Sequence, residues 1–160
     1  MSLTYKGVCV IHHDLSHWPL VITVASGPAT LDDLRGFTQE WSSWLERGER
    51  FATLRVFADS DALAHPEGAA QEIKQWFKGA REAIREQVLG MATVVPSIEL
   101  AHVRKMNAEK LFGVPATAED DIAEAIRWLS ARAFTPYDLV LDEASVKATV
   151  QRMMAVEREG

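Results

Sequence analysis

The chain alternates short apolar runs with amphipathic stretches, and this alternation restricts its fold more than any other feature. LVITVA at 20–25, the run 51–59 and MATVV at 91–95 have strand-like compositions, and each precedes apolar residues at helical spacing. Because strands joined through a helix pair in parallel by right-handed crossovers, this order predicts a largely parallel sheet. The strand-like run 7–13 is separated from the first of them by only a short turn, which predicts an antiparallel hairpin. The expected fold is α/β, with a mixed sheet and packed helices.

The first two predicted helices are bounded by start and stop residues. Thr30 followed by Asp33 has the spacing of a capping box, so we expect a helix that begins after Thr30 and ends at Gly48. Pro66 is predicted to be the first residue of the second helix, where its missing N–H costs nothing. The apolar stripe of that helix continues to Val88.

The next part of the chain predicts two more helices around an edge strand. Ser97 can cap a third helix that runs to about Phe112. A short edge strand is then predicted at residues 114–116. Thr117, with Asp120 three residues later, predicts the start of a fourth helix.

The segment after residue 133 is predicted as an addition to an α/β domain that spans residues 4–133. The Thr-Pro content of residues 134–137 indicates a linker. Asp142 can then cap a last helix. Residues 134–158 are therefore expected to form a linker and a C-terminal helical extension.

The last helix carries a narrow apolar stripe made of Val146, Val150 and Met153. A helix of this length is marginal alone and must bury its stripe, either on its own sheet or on a second copy of the chain. Because two-fold dimers are the commonest soluble oligomers, we expect a homodimer in which this stripe contributes to the interface.

Composition excludes several classes of protein. The chain has 160 residues, of which 48% are hydrophobic and 25% charged, which is typical of one soluble globular domain. Its net charge of −6, without a basic stripe, argues against a nucleic-acid partner. The apolar run 18–25 is too short to span a membrane, and the single Cys9 fits a reducing cytoplasm. We expect a cytoplasmic protein without a cofactor.

The stretch HHDLSHWPL at 12–20 raises the question of a metal site. His12 and His13 point to opposite faces if they lie on a strand, so they cannot both bind one ion. His13, Asp14 and His17 could converge across the turn, but no further pair of ligands at metal-binding spacing supports them. We interpret the stretch as a polar hairpin tip with Trp18 packed beneath it, and we expect no bound metal.

Four stretches between residues 5 and 133 carry a resemblance to a known family: WPLVITVASGPAT, RGERFATLRVFAD, GMATVVPSIELAHV and AEDDIAEAIRWLSAR. They resemble the STAS domain of bacterial anti-sigma-factor antagonists, and in particular a STAS-like group of small bacterial proteins. The resemblance implies a mixed sheet and a regulatory role. STAS switches accept phosphate on a serine at the start of the second helix. Here that loop reads ADSDALAHPEGAAQ, and Glu67 puts a negative charge where the phosphate would lie. Ser60 is therefore not expected to be an efficient kinase target.

No recognisable catalytic arrangement accompanies this loop. Ser60, Asp61 and His65 share one loop without the strand–turn–helix elbow that presents a nucleophile, so no catalytic residue is predicted. We expect a non-catalytic regulatory or protein-interaction module. The residues proposed for its surface are Asp59, Ser60, His65, Glu67 and Arg55.

Two alternatives stay open at this point. The protein could instead bind a small apolar or lipid-like molecule in a pocket between sheet and helices. Arg55 is the odd residue in an apolar strand, and two interpretations fit it. It either extends from a half-exposed sheet face towards water or forms an anion-binding group on that face.

Overall fold

The computed structural model describes residues 9–159, and within them it contains one five-stranded sheet. The order across the sheet follows the chain, and β1 is antiparallel to β2 while the other pairs are parallel. The predicted mixed α/β fold with an N-terminal hairpin is therefore confirmed. Residues 4–8, the start of the predicted domain, lie outside the described residues. The strands are β1 Val10–Asp14, β2 Leu20–Ser26, β3 Phe51–Phe57, β4 Val88–Val94 and β5 Ala116–Glu119.

Helices cover both faces of the sheet in the described part of the chain. One face packs against α1 and α2, and we call it the α1–α2 face. The other packs against α5 and α6, and we call it the α5–α6 face. None of these helices combines the length with the apolar character that crossing a membrane requires. The helices are α1 Leu31–Glu46, α2 Ala69–Gln87, α3 Leu100–Lys105, α4 Ala108–Phe112, α5 Ile122–Leu129 and α6 Glu143–Glu159.

The three central strands are apolar on both faces because both faces are covered. Along β2, Leu20 and Ile22 pack in the core of the α5–α6 face, whereas Val21 between them packs in the core of the α1–α2 face. This is the two-residue alternation of a strand with no solvent-facing side. In β3, Phe51 packs in the core of the α1–α2 face and Leu54 in the core of the α5–α6 face. The continuous apolar runs of the sequence follow from this double burial.

The start of α1 was predicted correctly and the start of α2 was not. Thr30 Oγ1 accepts the Asp33 backbone N–H at 3.1 Å and an Asp33 carboxylate oxygen accepts the Thr30 N–H at 2.8 Å, which is a complete capping box. The second helix begins at Ala69 rather than at Pro66. Pro66 belongs to a turn closed by the Ala69 N–H, and Gly68, with a φ of 87°, reverses the chain before the helix begins.

The helix predicted between residues 97 and 112 is broken into three pieces. A 3-10 turn, Ser97–Glu99, precedes α3, and Asn107 separates α3 from α4. Asn107 has a φ of 48°, a left-handed conformation that interrupts a helix, and its side chain accepts the Lys110 N–H at the start of α4.

The helix predicted to begin at Thr117 starts later than the sequence indicated. Thr117 lies inside β5, so it does not begin a helix. Asp121 instead caps α5, because its carboxylate accepts the Ala123 N–H at 3.2 Å. The capping pattern of Thr117 and Asp120 was therefore misleading, since strand pairing with β4 takes precedence over it.

The outer edge of β5 is blocked by side chains from the helices that precede it. The backbone N–H of Ala116 donates to the Glu109 carboxylate at 3.2 Å. Arg104 Nε donates to the backbone carbonyl of Ala118 at 3.1 Å. Two of the backbone groups that a further strand would need are thus already bonded.

The segment predicted as a linker is folded onto the domain. A π-helical turn, Ser130–Phe134, continues α5, and a 3-10 turn, Thr135–Tyr137, follows. Ala133 and Phe134 are both buried in the core of the α5–α6 face, on either side of the boundary drawn from the sequence. Gly90 of β4 permits this contact, because a Cβ there would come within 2.8 Å of the Ala133 Cβ.

The apolar stripe of α6 packs on its own sheet. Val146 and Val150 have no exposed surface and lie in the same core as Leu20 and Ile22 of β2, while Met153 is partly buried at its margin. The expectation that Val146 and Val150 contact a second copy is therefore wrong, because the chain itself covers them. The homodimer stays a prediction, and it would need other contacts.

Replacement of Val150 by alanine tests this packing. We expect the unfolding free energy to fall by about 2 kcal/mol, because the truncated methyl groups leave a cavity in the core. Val156 lies on the same helix with 54% of its surface exposed, so Val156→Ala should change stability by less than about 0.5 kcal/mol. Urea unfolding of both variants measures the difference, and equal small effects would contradict the described docking of α6.

Candidate functional site

A row of polar side chains crosses the α1–α2 face of the sheet. The register places His13 opposite Thr23, Thr23 opposite Arg55, and Arg55 opposite Thr93. Thr53 lies two residues before Arg55 and so points to the same face. Neighbouring strands are about 4.8 Å apart, so these side chains lie side by side. We call these five residues the polar row.

Arg55 and Thr93 of the polar row lie in the carboxyl-terminal halves of β3 and β4, whereas Thr23 lies at the middle of β2 and Thr53 in the amino-terminal half of β3. The amino end of the same face is filled by aromatic packing, in which Trp41 contacts Trp44 and Phe51 with ring centroids 5.6 and 5.8 Å apart. The carboxyl ends of parallel strands are where open α/β sheets usually bind ligands.

Arg55 is a shielded cation in the middle of the row. Its Nη2 donates to Thr93 Oγ1 at 3.2 Å, whereas its Nε is buried without a hydrogen-bond partner in the part of the chain that the structure describes. No acidic side chain of the described residues forms an ion pair with it. Burial alone lowers the pKa of Arg55 to about 10, so the guanidinium remains charged at neutral pH.

The hydroxyl groups around Arg55 add donors rather than acceptors. Thr93 Oγ1 already accepts from Arg55, so its own proton is available to another acceptor. Thr53 Oγ1 is buried and has no hydrogen-bond partner within residues 9–159. The centre of the row therefore holds a positive charge and unused donors at buried positions, which are groups that an anionic acceptor satisfies.

His13 forms the other end of the row and is neutral at physiological pH. Its Nδ1 lies 2.8 Å from Thr23 Oγ1, and its ring stacks on Phe37 and meets Trp44 edge-on. Burial lowers the pKa of His13 below its ordinary value, although the charge of Glu40 acts in the opposite direction.

The remaining histidines of the hairpin do not join His13. His12 is exposed, and His17 Nε2 lies 2.8 Å from Thr149 Oγ1 of α6 on the other face of the sheet. Asp14 accepts from the Ser16 backbone and hydroxyl. In residues 9–159 no three His, Cys, Asp or Glu side chains are grouped as metal ligands. Absence of bound metal stays a prediction.

The proposed surface residues after β3 sit on an anchored loop, residues 58–68. Both carboxylate oxygens of Asp59 lie 3.2 Å from the Gly27 N–H, and one also accepts the Ala62 N–H at 2.9 Å. Asp59 thereby ties this loop to the loop after β2. Ser60, His65 and Glu67 are exposed on it.

The five surface candidates of the sequence analysis occupy two different places. Asp59, Ser60, His65 and Glu67 belong to the loop, whereas Arg55 belongs to the sheet face below α1 and α2. No hydrogen bond or ion pair joins Arg55 to the other four in the described structure. Arg55 is therefore better grouped with the threonines than with the loop.

Sequence reasoning missed the three threonines. Thr23, Thr53 and Thr93 are each a polar residue inside an apolar strand. The sequence did contain one indication of them, because three successive strands that were expected to pair each contain a threonine within an apolar run. Their alignment depends on register, which the sequence does not supply.

A cleft of about 310 Å³ separates the N-terminal halves of α1 and α2. Arg35 and Glu72 form a bidentate ion pair between the two helices, with Nε and Oε2 2.8 Å apart. Because α1 and α2 begin after the carboxyl ends of β2 and β3, the cleft lies towards that side of the sheet, and no residue of the polar row lines it. It is lined by Leu31, Leu34, Arg35, Thr38, Ala69, Glu72, Ile73, Gln75 and Trp76.

Comparison with protein-family models, curated proteins and solved structures finds no match to this chain. The resemblance to STAS domains therefore stays a prediction. The functional assignment rests on the anchored loop, the cleft and the polar row.

The buried His13 should make stability depend on pH. Because its folded pKa lies below the ordinary value of 6.5, the unfolded chain binds a proton first as the pH falls. The stability contribution of neutral His13 is thus complete above 6.5 and is lost as the pH drops below it.

Replacement of His13 by asparagine tests this dependence. The unfolding free energy of His13→Asn, measured by urea unfolding, should fall less between about pH 7.5 and about pH 5.5 than that of the unmodified chain. Exposed His102 gives the control, because it takes no part in the shift of His13: His102→Asn should keep the dependence, and equal profiles for both variants would contradict the assignment.

Proposed function

We propose that this protein is a non-catalytic regulatory or protein-interaction module, and that it binds its partner through the loop 58–68. The observation that carries this proposal is the anchoring of the loop by the Asp59 carboxylate. A surface that is already ordered loses little conformational entropy on binding. Ser60, His65 and Glu67 are held on this support with their side chains towards solvent.

The charge of the loop indicates the kind of partner. Asp61 and Glu67 are both exposed there, and the whole chain carries a net charge of −6. A partner with a basic patch would associate faster and in a preferred orientation. We therefore propose a protein partner with a positively charged surface.

The roles of the perturbed carboxyl groups support a non-catalytic assignment. Hydrogen bonds from Thr30 lower the pKa of Asp33, and hydrogen bonds from Ser145 lower that of Asp142, because both carboxylates cap helices. The pKa of Glu72 is lowered by its exposed ion pair with Arg35. The usual sign of acid–base catalysis is a pair of titratable groups in one site whose pKa values are shifted apart. These three carboxyl groups do not form such a pair.

Family and location are part of the same proposal. We propose kinship with STAS domains, which is supported by the antiparallel hairpin followed by parallel βα units. The single cysteine of the chain supports a reducing compartment such as the cytoplasm.

Site-specific photo-crosslinking tests the interaction surface. A photoreactive residue at position 65, introduced in the native host, should give a discrete adduct with one partner protein. The same residue at the exposed position 86, at the far end of α2, should not give that adduct. Adding Glu67→Lys should abolish the position-65 adduct, because charge reversal repels a basic partner. Persistence of the adduct after charge reversal, or its appearance from position 86, would contradict the proposal.

A second candidate function, binding of a small apolar or lipid-like molecule, is favoured by the cleft between α1 and α2. Leu31, Leu34, Ile73 and Trp76 give the cleft an apolar lining, and its mouth is open to solvent. Apolar clefts with a few polar groups are the usual form of small-molecule sites.

Methyl NMR during a titration with decanoate tests the second candidate. Resonances of Leu31, Leu34 and Ile73 should shift saturably, while that of fully buried Val146 should not. Ile73→Glu should abolish the shifts, because it places a charge among the apolar contacts. Shifts spread evenly over the protein, or none at the cleft, would contradict the candidate.

A further inference from the structure

We infer that the centre of the polar row is a binding site for a small oxyanion, a carboxylate or phosphate group, held by the Arg55 guanidinium and by the hydroxyls of Thr53 and Thr93. This inference does not rest on the proposed interaction surface, because the loop residues take no part in it. It rests on the charge, the unused donors and the position of the row.

The first support is the charge of Arg55. A cation removed from water is stable only when an opposite charge or a full set of hydrogen bonds replaces its hydration. Arg55 has one hydrogen bond, from Nη2 to Thr93, and no ion pair among residues 9–159. An oxyanion supplies both the charge and the acceptors, and the planar guanidinium fits two of its oxygens at once.

The second support is the unused donors. Arg55 Nε and Thr53 Oγ1 are both buried without a partner among the described residues, although buried polar groups are almost always bonded. The Thr93 proton is also free to donate, because its oxygen accepts from Arg55. Thr23 is not counted in this set, because its Oγ1 lies 2.8 Å from His13 Nδ1 and so has a partner within the row.

Extension of Arg55 to water does not explain this arrangement. A snorkelling arginine buries its methylene groups and brings its nitrogens to solvent. The Nε of Arg55 is buried without a hydrogen-bond partner among residues 9–159, so neither water nor the protein satisfies it, although the residue as a whole keeps part of its surface exposed. That partial exposure leaves a path by which a small anion reaches the guanidinium.

The third support is position. Arg55 and Thr93 lie in the carboxyl-terminal halves of β3 and β4, on the face that α1 and α2 cover. Open α/β sheets usually bind their ligands towards this end of the strands.

NMR titration of the full chain tests the site. The probes are sodium phosphate and sodium acetate, with sodium chloride at equal ionic strength as the reference, and the signal is the Arg55 Nε–Hε resonance. We expect a saturable shift with phosphate or acetate and none with chloride. A preference for phosphate indicates a phosphoryl ligand, and a preference for acetate indicates a carboxylate ligand.

Variants separate the site from a general effect of charge. Arg55→Met should abolish saturable binding, followed on the Thr93 methyl resonance, and should leave the urea midpoint unchanged or raise it, since it removes a buried charge. Thr53→Val keeps the side-chain shape and should weaken binding by about tenfold, because it removes one hydrogen bond to the anion. Exposed Arg81→Met is the matched control and should bind normally.

Two results would overturn the inference. One is the absence of a saturable Nε–Hε shift with either oxyanion in the unmodified chain. The other is a Thr93 shift that survives in Arg55→Met or is lost equally in Arg81→Met. The combined variant His65→Ala, Glu67→Ala should bind phosphate or acetate like the unmodified chain, so failure of the interaction surface and failure of the anion site give different results.

Discussion

The structure depends on the burial of three parallel strands on both faces. Leu20 and Ile22 of β2 require a cover on one face, and Val21 requires one on the other. The crossovers α1 and α2 can cover only the α1–α2 face. The second face must then be covered by the two long helices after β5, α5 and α6. The C-terminal helix is therefore an integral layer of the domain rather than an addition, since without it Val24 and Leu54 would lie in a partly open core.

Double burial also explains why polar residues inside these strands are informative. A threonine on a solvent-facing strand does not lower stability, because water satisfies its hydroxyl group. Thr53 has 1% of its surface exposed and no hydrogen bond among the described residues, so its hydroxyl loses its hydration without compensation. An apolar valine would avoid this cost in folding free energy. The same reasoning applies more strongly to the charge of Arg55. Residues that lower stability inside a buried strand are expected where a protein uses that part of the sheet for binding.

Much of the fold followed from sequence because its signals are local. The hairpin, the central strands and the capping box of Thr30 all depend on residues within a few positions of one another. The errors arose where a non-local contact decided the outcome. Thr117 has a capping pattern but pairs with β4, and Phe134 lies in a Thr-Pro segment but fills the core. Of the candidate site, Arg55 was visible as a charge within an apolar run, whereas its threonine neighbours became apparent only once the strand register was known.

The blocked edge of β5 has a consequence for assembly. Proteins with open sheets often associate by joining edge strands into one continuous sheet across two copies. At β5 such a union would have to displace the Glu109 carboxylate from Ala116 and the Arg104 guanidinium from Ala118. These charged side chains therefore oppose the addition of a further strand next to β5. On that side the sheet ends at β5. Any symmetric pair of chains must consequently meet through side-chain surfaces or through the opposite margin of the sheet.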